Sequence, residues 1–112
     1  MRLDQIVVDS LEPGALARFW AELLGGVAVE REDGWAQVRA DGFPVLAFQP
    51  VPEGKGVKNR LHLDVFADDV RAATASAARL GAVVVGGLQV DEHGTFQVLR
   101  DPQGNEFCFV DG

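Results

Sequence analysis

Cysteine is nearly absent from this chain. Cys108 is the only one, so no intrachain disulfide can form. Taken with the lack of a charged-then-apolar leader at the N-terminus, the lone thiol points to a cytoplasmic protein. Histidine is scarce as well, with only His62 and His93 to supply imidazole chemistry. Basic residues are too few to balance the acidic ones: 10 Lys and Arg against 17 Asp and Glu give a formal net charge of −7. A chain this acidic is repelled by phosphate backbones, which excludes nucleic acid and anionic membranes as expected partners. A cationic or neutral small molecule is easier to accommodate. No apolar run approaches the roughly 20 residues needed to span a bilayer, so no membrane partner is expected.

What remains is ordinary globular composition, 47% hydrophobic and 24% charged over 112 residues. That length suits one domain, 1–112. Within it the sequence is written twice. "RLDQIVVDSLEPGALARFWAELLGG" opens the first half and "RLHLDVFADDVRAATASAARLGA" the second. Each is a short alternating strand, a helix start, and a helix ending in Leu-Gly. The ends correspond too: "AQVRADGFPVLAFQP" resembles "FQVLRDPQGNEFCFV". This match sets Gln37 on Gln97 (97 − 37 = 60) and Gln49 on Cys108 (108 − 49 = 59), while Gln5 falls on His62 (62 − 5 = 57).

Leu16, Phe19, Trp20, Leu23 and Leu24 recur at helical spacing, with Pro13 suited to the first turn and Gly25 to the stop. In the second half Asp68 is placed to cap, Val70, Ala73, Ala77 and Leu80 form the stripe, and Gly81 ends it. Three short strands follow each helix. The expected fold is therefore α+β: two β-α-β-β-β modules with pseudo-twofold symmetry, forming a curved mixed sheet around a cleft. Module 1 covers about 1–50, a linker 51–59, and module 2 about 60–112. A ferredoxin-like β-α-β-β-α-β order leaves "AVVVGG", "TFQVL" and "EFCFV" unexplained.

The two-residue period of strands sorts the side chains. Ile6 and Val8, Ala36 and Val38, Leu46 and Phe48, Leu61, Leu63 and Val65, Phe96 and Val98, and Phe107 and Phe109 are expected to pack under the helices. The opposite faces then carry Gln5, Trp35, Gln37, Arg39, Gln49, His62, Asp64, Gln97, Glu106 and Cys108. That set is too polar for a core and too rich in Trp, His and Cys for a plain solvated surface, so it marks a binding cleft.

The doubled unit, with "FWAELLG", "KNRLHLDV" and "DPQGNEFC" in this order, resembles the vicinal oxygen chelate superfamily, in its small glyoxalase-like branch. That superfamily includes glyoxalase I, extradiol dioxygenases and bleomycin-resistance proteins. The resemblance implies that metal-using members place ligands on the first and fourth strands of both modules, typically His or Gln on the first and Glu on the fourth. Carried over, these positions are Gln5, Gln49, His62 and Cys108. None of the four is a carboxylate, the donor that Mg²⁺, Mn²⁺ or Fe²⁺ prefers. Cys108 with His62 suits Zn²⁺, but two glutamines would be unusual company. No metal cofactor is therefore expected.

Two functions fit. In one, the protein sequesters a small molecule in a Trp-lined acidic cleft, as the resemblance to bleomycin-resistance proteins implies. In the other, it is a lyase, isomerase or dioxygenase-like enzyme using His62 with Asp64, Glu106 or Cys108. The missing carboxylates and the net charge favour binding. Unpaired sheet edges and an open cleft further predict a homodimer, with modules paired either within a chain or across the dimer.

Overall fold

The computed structural model describes residues 3–111. Its elements run β1 (Gln5–Ser10), α1 (Pro13–Leu24), β2 (Val27–Glu30), β3 (Ala36–Arg39), β4 (Val45–Pro50), β5 (Leu63–Phe66), α2 (Val70–Arg79), β6 (Val83–Asp91), β7 (Gly94–Arg100) and β8 (Glu106–Val110). The β-α-β-β-β order thus occurs twice. The chain divides into two compact units between Lys55 and Gly56, inside the stretch read as a linker. The sheet of the first unit is ordered β1-β4-β3-β2 and that of the second β5-β8-β7-β6. In each, the first and last strands pair in parallel, which the helical crossover between them allows.

The first unit builds its core as its sequence pattern dictates. Pro13 occupies the first helical turn, and Gly25, at φ 70°, ends α1 in the left-handed conformation that glycine tolerates best. Leu16, Phe19 and Trp20 are buried, the last two meeting edge-to-face with ring centroids 5.5 Å apart. Ala36, Val38, Leu46 and Phe48 are buried beside them. The second unit is built from smaller parts. Its helix is capped by Asp69, one residue later than expected, whose carboxylate accepts the Ala72 N–H at 3.0 Å. Matching the first helical residues gives an offset of 70 − 13 = 57. Leu16, Phe19 and Trp20 then correspond to Ala73, Ser76 and Ala77. Leu61 does not pack under α2 as expected. It precedes β5, outside any strand alternation, and is 68% exposed.

The ladders also correct the internal alignment. In the first unit Val7 lies across from Ala47. In the second, Asp64, its counterpart at offset 57, lies across from Cys108. Hence Cys108 corresponds to Ala47 (108 − 47 = 61), and Gln49 corresponds to Val110. The same offset links the third strands: Val38 faces Leu46 and Leu99 faces Phe107. Gln97 therefore corresponds to Ala36, not to Gln37. A slip of one residue moves a side chain to the other face of a sheet. Gln97 accordingly lies with Leu99 on the buried side, 4% exposed, while Phe96 and Val98 occupy the open face with Cys108.

The buried amide at Gln97 has a physical reason. Between Val85 and Gln89 the β6–β7 register shifts, so that three residues of β6 stand opposite one of β7. Gly86 takes φ 69° within this bulge. The Nε2 of Gln97 turns toward the bulge, 3.2 Å from Val85 O and 3.2 Å from Gly86 O, and lies 3.1 Å from Val98 O on its own strand.

Candidate functional site

The second unit gathers the chemistry on its open face. His62 stands immediately before β5, and its Nε2 lies 3.4 Å from Asp64 Oδ1, with both side chains about half exposed. The strand alternation puts Asp64 on the same side, and the parallel register sets it beside Cys108. One ligating atom from each of His62, Asp64 and Cys108 falls within 4.8 Å of the others. They share a hollow of about 260 Å³ with Asp91, His93, Phe96 and Val110.

His93 and Asp91 come from the β6–β7 hairpin, where the His93 N–H donates to Asp91 Oδ1 at 2.8 Å. Neither residue is among those that strand alternation assigns to the open face. The signal that places them is the hairpin register: Asp91 pairs Gly94, and Phe96 pairs Val110. The turn therefore hangs beside the C-terminal end of β8.

Burial, reinforced by the Asp64 carboxylate, raises the pKa of the Cys108 thiol above its ordinary 9.0, against a lowering influence from Lys58. A thiol so held is mostly protonated at neutral pH and is a weak nucleophile. Glu106 shares the open face but not the hollow. Its Oε2 accepts the Asn59 N–H at 3.1 Å, and its Oε1 lies 3.9 Å from Arg100 Nε. The carboxylate thus anchors the segment leading into β5.

On the first unit's open face a polar chain runs Arg39 to Gln37 Oε1 at 3.1 Å, and Gln37 Nε2 to Gln5 Oε1 at 3.3 Å. Gln49 is exposed beside Asp9. Trp35 is half-buried, with the Arg31 guanidinium 5.9 Å from its ring centre.

The donor set tests the metal that the fold implies. Asp64 adds a carboxylate that position-by-position transfer did not anticipate, because it lies two residues beyond His62. The position corresponding to Cys108 in the first unit is Ala47, which has no donor atom. One exposed carboxylate does not neutralise a hard ion, so the set does not fit Mg²⁺ or Mn²⁺. By kind, an imidazole, a carboxylate and a thiolate fit Zn²⁺. His62, Asp64 and Cys108 would hold it, and it would supply a Lewis acid to the hollow. Ligation would require the Cys108 thiol to give up its proton to the metal.

Comparison with known proteins places the chain. Residues 5–110 match the family model described as a glyoxalase-like domain. No curated protein matches the sequence. Among solved structures, a glyoxalase/bleomycin resistance protein/dioxygenase family enzyme from Burkholderia phytofirmans PsJN superposes with a TM-score of 0.83 at 18% identity, over 99% of this chain and 98% of its own. A glyoxalase-related enzyme from Fulvimarina pelagi gives 0.77 at 18% identity, over 100% and 88%. The chain belongs to the glyoxalase-like domain family of the vicinal oxygen chelate superfamily.

Proposed function

We propose that this glyoxalase-like domain binds a small cationic or neutral molecule on the open face of its second unit, without the carboxylate-anchored hard-metal centre of metal-using relatives. The observation that carries the reading is the composition of the hollow. Asp64 and Asp91 supply negative charge, Phe96 an aromatic face suited to a cation, and the His62 imidazole a hydrogen-bonding group. The protonated thiol of Cys108 supports binding over nucleophilic catalysis.

A second reading is favoured by one contact. The approach of His62 to Asp64 is the geometry by which a carboxylate orients an imidazole for proton transfer, so a lyase- or isomerase-type activity is the alternative.

The test is a screen of aliphatic amines, neutral amides and carboxylates against chelator-treated protein by ¹H–¹⁵N NMR, with elemental analysis of protein purified without chelator. Amines or amides that shift Asp64, Phe96 and Cys108, and amine hits lost in Asp64→Asn, support binding. About one equivalent of zinc, lost in His62→Ala, would replace the metal-free reading with a metalloenzyme.

A further inference from the structure

In the first unit, a side chain bridges the helix and the outer strand. Glu30 on β2 lies directly against Gly14 and stands 3.5 Å from Arg18 on α1. At offset 57, Gly14 and Arg18 correspond to Arg71 and Ala75 (71 − 14 = 57, 75 − 18 = 57). The second unit thus has a small residue where the first has its bridging cation, and a cation one turn earlier. On its strand, the bulge at Gly86 and Gly87 takes the place of a closing side chain, and a Cβ built at either glycine would meet nothing within 4 Å. The outcome is an open groove of about 320 Å³ between α2 and β6, within the range of small-ligand sites.

We propose that this groove is a second ligand site, for a small amphipathic acid that carries a hydrogen-bond donor. Three features define it. Arg71, Ala75 and Ala78 recur at helical spacing along one wall, and Val84 and Leu88 form the other, giving an apolar trough with one cation at its rim. Although the chain has a net charge of −7, no acidic side chain lines the groove, and Arg71 has no ion pair or hydrogen bond among the described residues. A guanidinium so placed suits a carboxylate.

The third feature is Gln97. Its Nε2 is committed to the bulge carbonyls, which fixes the amide orientation, and its Oε1 has no partner among the described residues. Because no fully buried side-chain oxygen there lacks a partner, this acceptor is one that water reaches, on a residue that is 96% buried and lines the groove. An O–H or N–H on the ligand would satisfy it. The site lies on the helix side of the sheet, away from the face that bears His62, Asp64 and Cys108.

The probe is 2-hydroxy-4-methylpentanoate, which combines a carboxylate, a hydroxyl and a branched apolar body, titrated into ¹⁵N-labelled protein. The expected result is a saturable shift at Ala75, Ala78, Val84, Leu88 and the Gln97 side-chain amide. Arg71→Gln weakens binding by about tenfold, the worth of one charge-assisted hydrogen bond, and 4-methylpentanoate, which lacks the hydroxyl, binds more weakly than the probe. Ala75→Leu, which fills the trough, abolishes it. Both substituted residues are exposed on the helix, so the variants keep the fold. Absence of a saturable shift at millimolar probe, equal affinity in Arg71→Gln, or shifts centred on Asp64 and Cys108 would each overturn the proposal.

Discussion

Asp64 lies directly beside Cys108 in the parallel β5–β8 ladder, and its negative charge joins burial in holding the thiol protonated. Alkylation of Cys108 by iodoacetamide is therefore slow at neutral pH. Asp64→Asn removes the repulsion and moves the midpoint of the rate–pH profile to lower pH, while burial keeps it from falling to that of a free thiol. An unchanged midpoint in the variant would show that the carboxylate does not act on the sulfur.

The same thiol links stability to pH. A group that is neutral when protonated, and whose pKa is raised by folding, binds its proton more tightly in the folded state. Its contribution is intact below the ordinary thiol value of 9.0 and declines as pH rises from there through the folded value. Chemical denaturation across that window should show falling stability, with a shallower fall in Cys108→Ser. Identical slopes would contradict the linkage.

Gln97 and Gln37 are predicted to behave oppositely although both precede a valine in similar strings. Gln97→Leu strips the bulge carbonyls of their donor and costs about 1–3 kcal/mol. Gln37→Leu, at a half-buried residue with one long hydrogen bond to Gln5 and one exposed bond from Arg39, stays within about 0.5 kcal/mol of the parent. Urea denaturation of the two variants compares them, and equal losses would mean that the register assignment fails.

Assembly follows from the sheet edges. Among the described residues, each sheet ends on strands without a further partner in that sheet, β1 and β2 in one, β5 and β6 in the other. Val83, Val84 and Val90 on β6 are exposed. We propose a homodimer that covers such edges. Sedimentation equilibrium at micromolar concentration should give twice 12.0 kDa, and a value of 12.0 kDa contradicts it.

Topology was legible in the sequence because it is carried by redundant signals: Pro13 and Gly25 at the ends of one helix, the stripe of Leu16, Phe19 and Trp20, and alternation in β3, β5 and β8. Register was not. Pairing the Gln-Val of β3 with the Gln-Val of β7 followed residue identity, and the β6 bulge adds residues that identity does not reveal. That one-residue slip put Gln97 on the wrong face, and a two-residue slip matched Gln49 to Cys108. The period of two still set Asp64 and Cys108 on one open face, because it runs within each strand and survives such slips. His93 was missed because its place depends on hairpin register rather than on its neighbours.

The central claim is that the hollow beside Asp64 and Cys108 takes a small cationic or neutral molecule without a metal. A crystallographic fragment screen on protein purified without chelator tests it most directly, because density reports ligand and metal together. The account predicts amine or amide fragments between Asp64, Phe96 and Cys108, with no anomalous peak beside His62. A zinc peak shared by His62, Asp64 and Cys108, or fragments bound only away from this hollow, would contradict it.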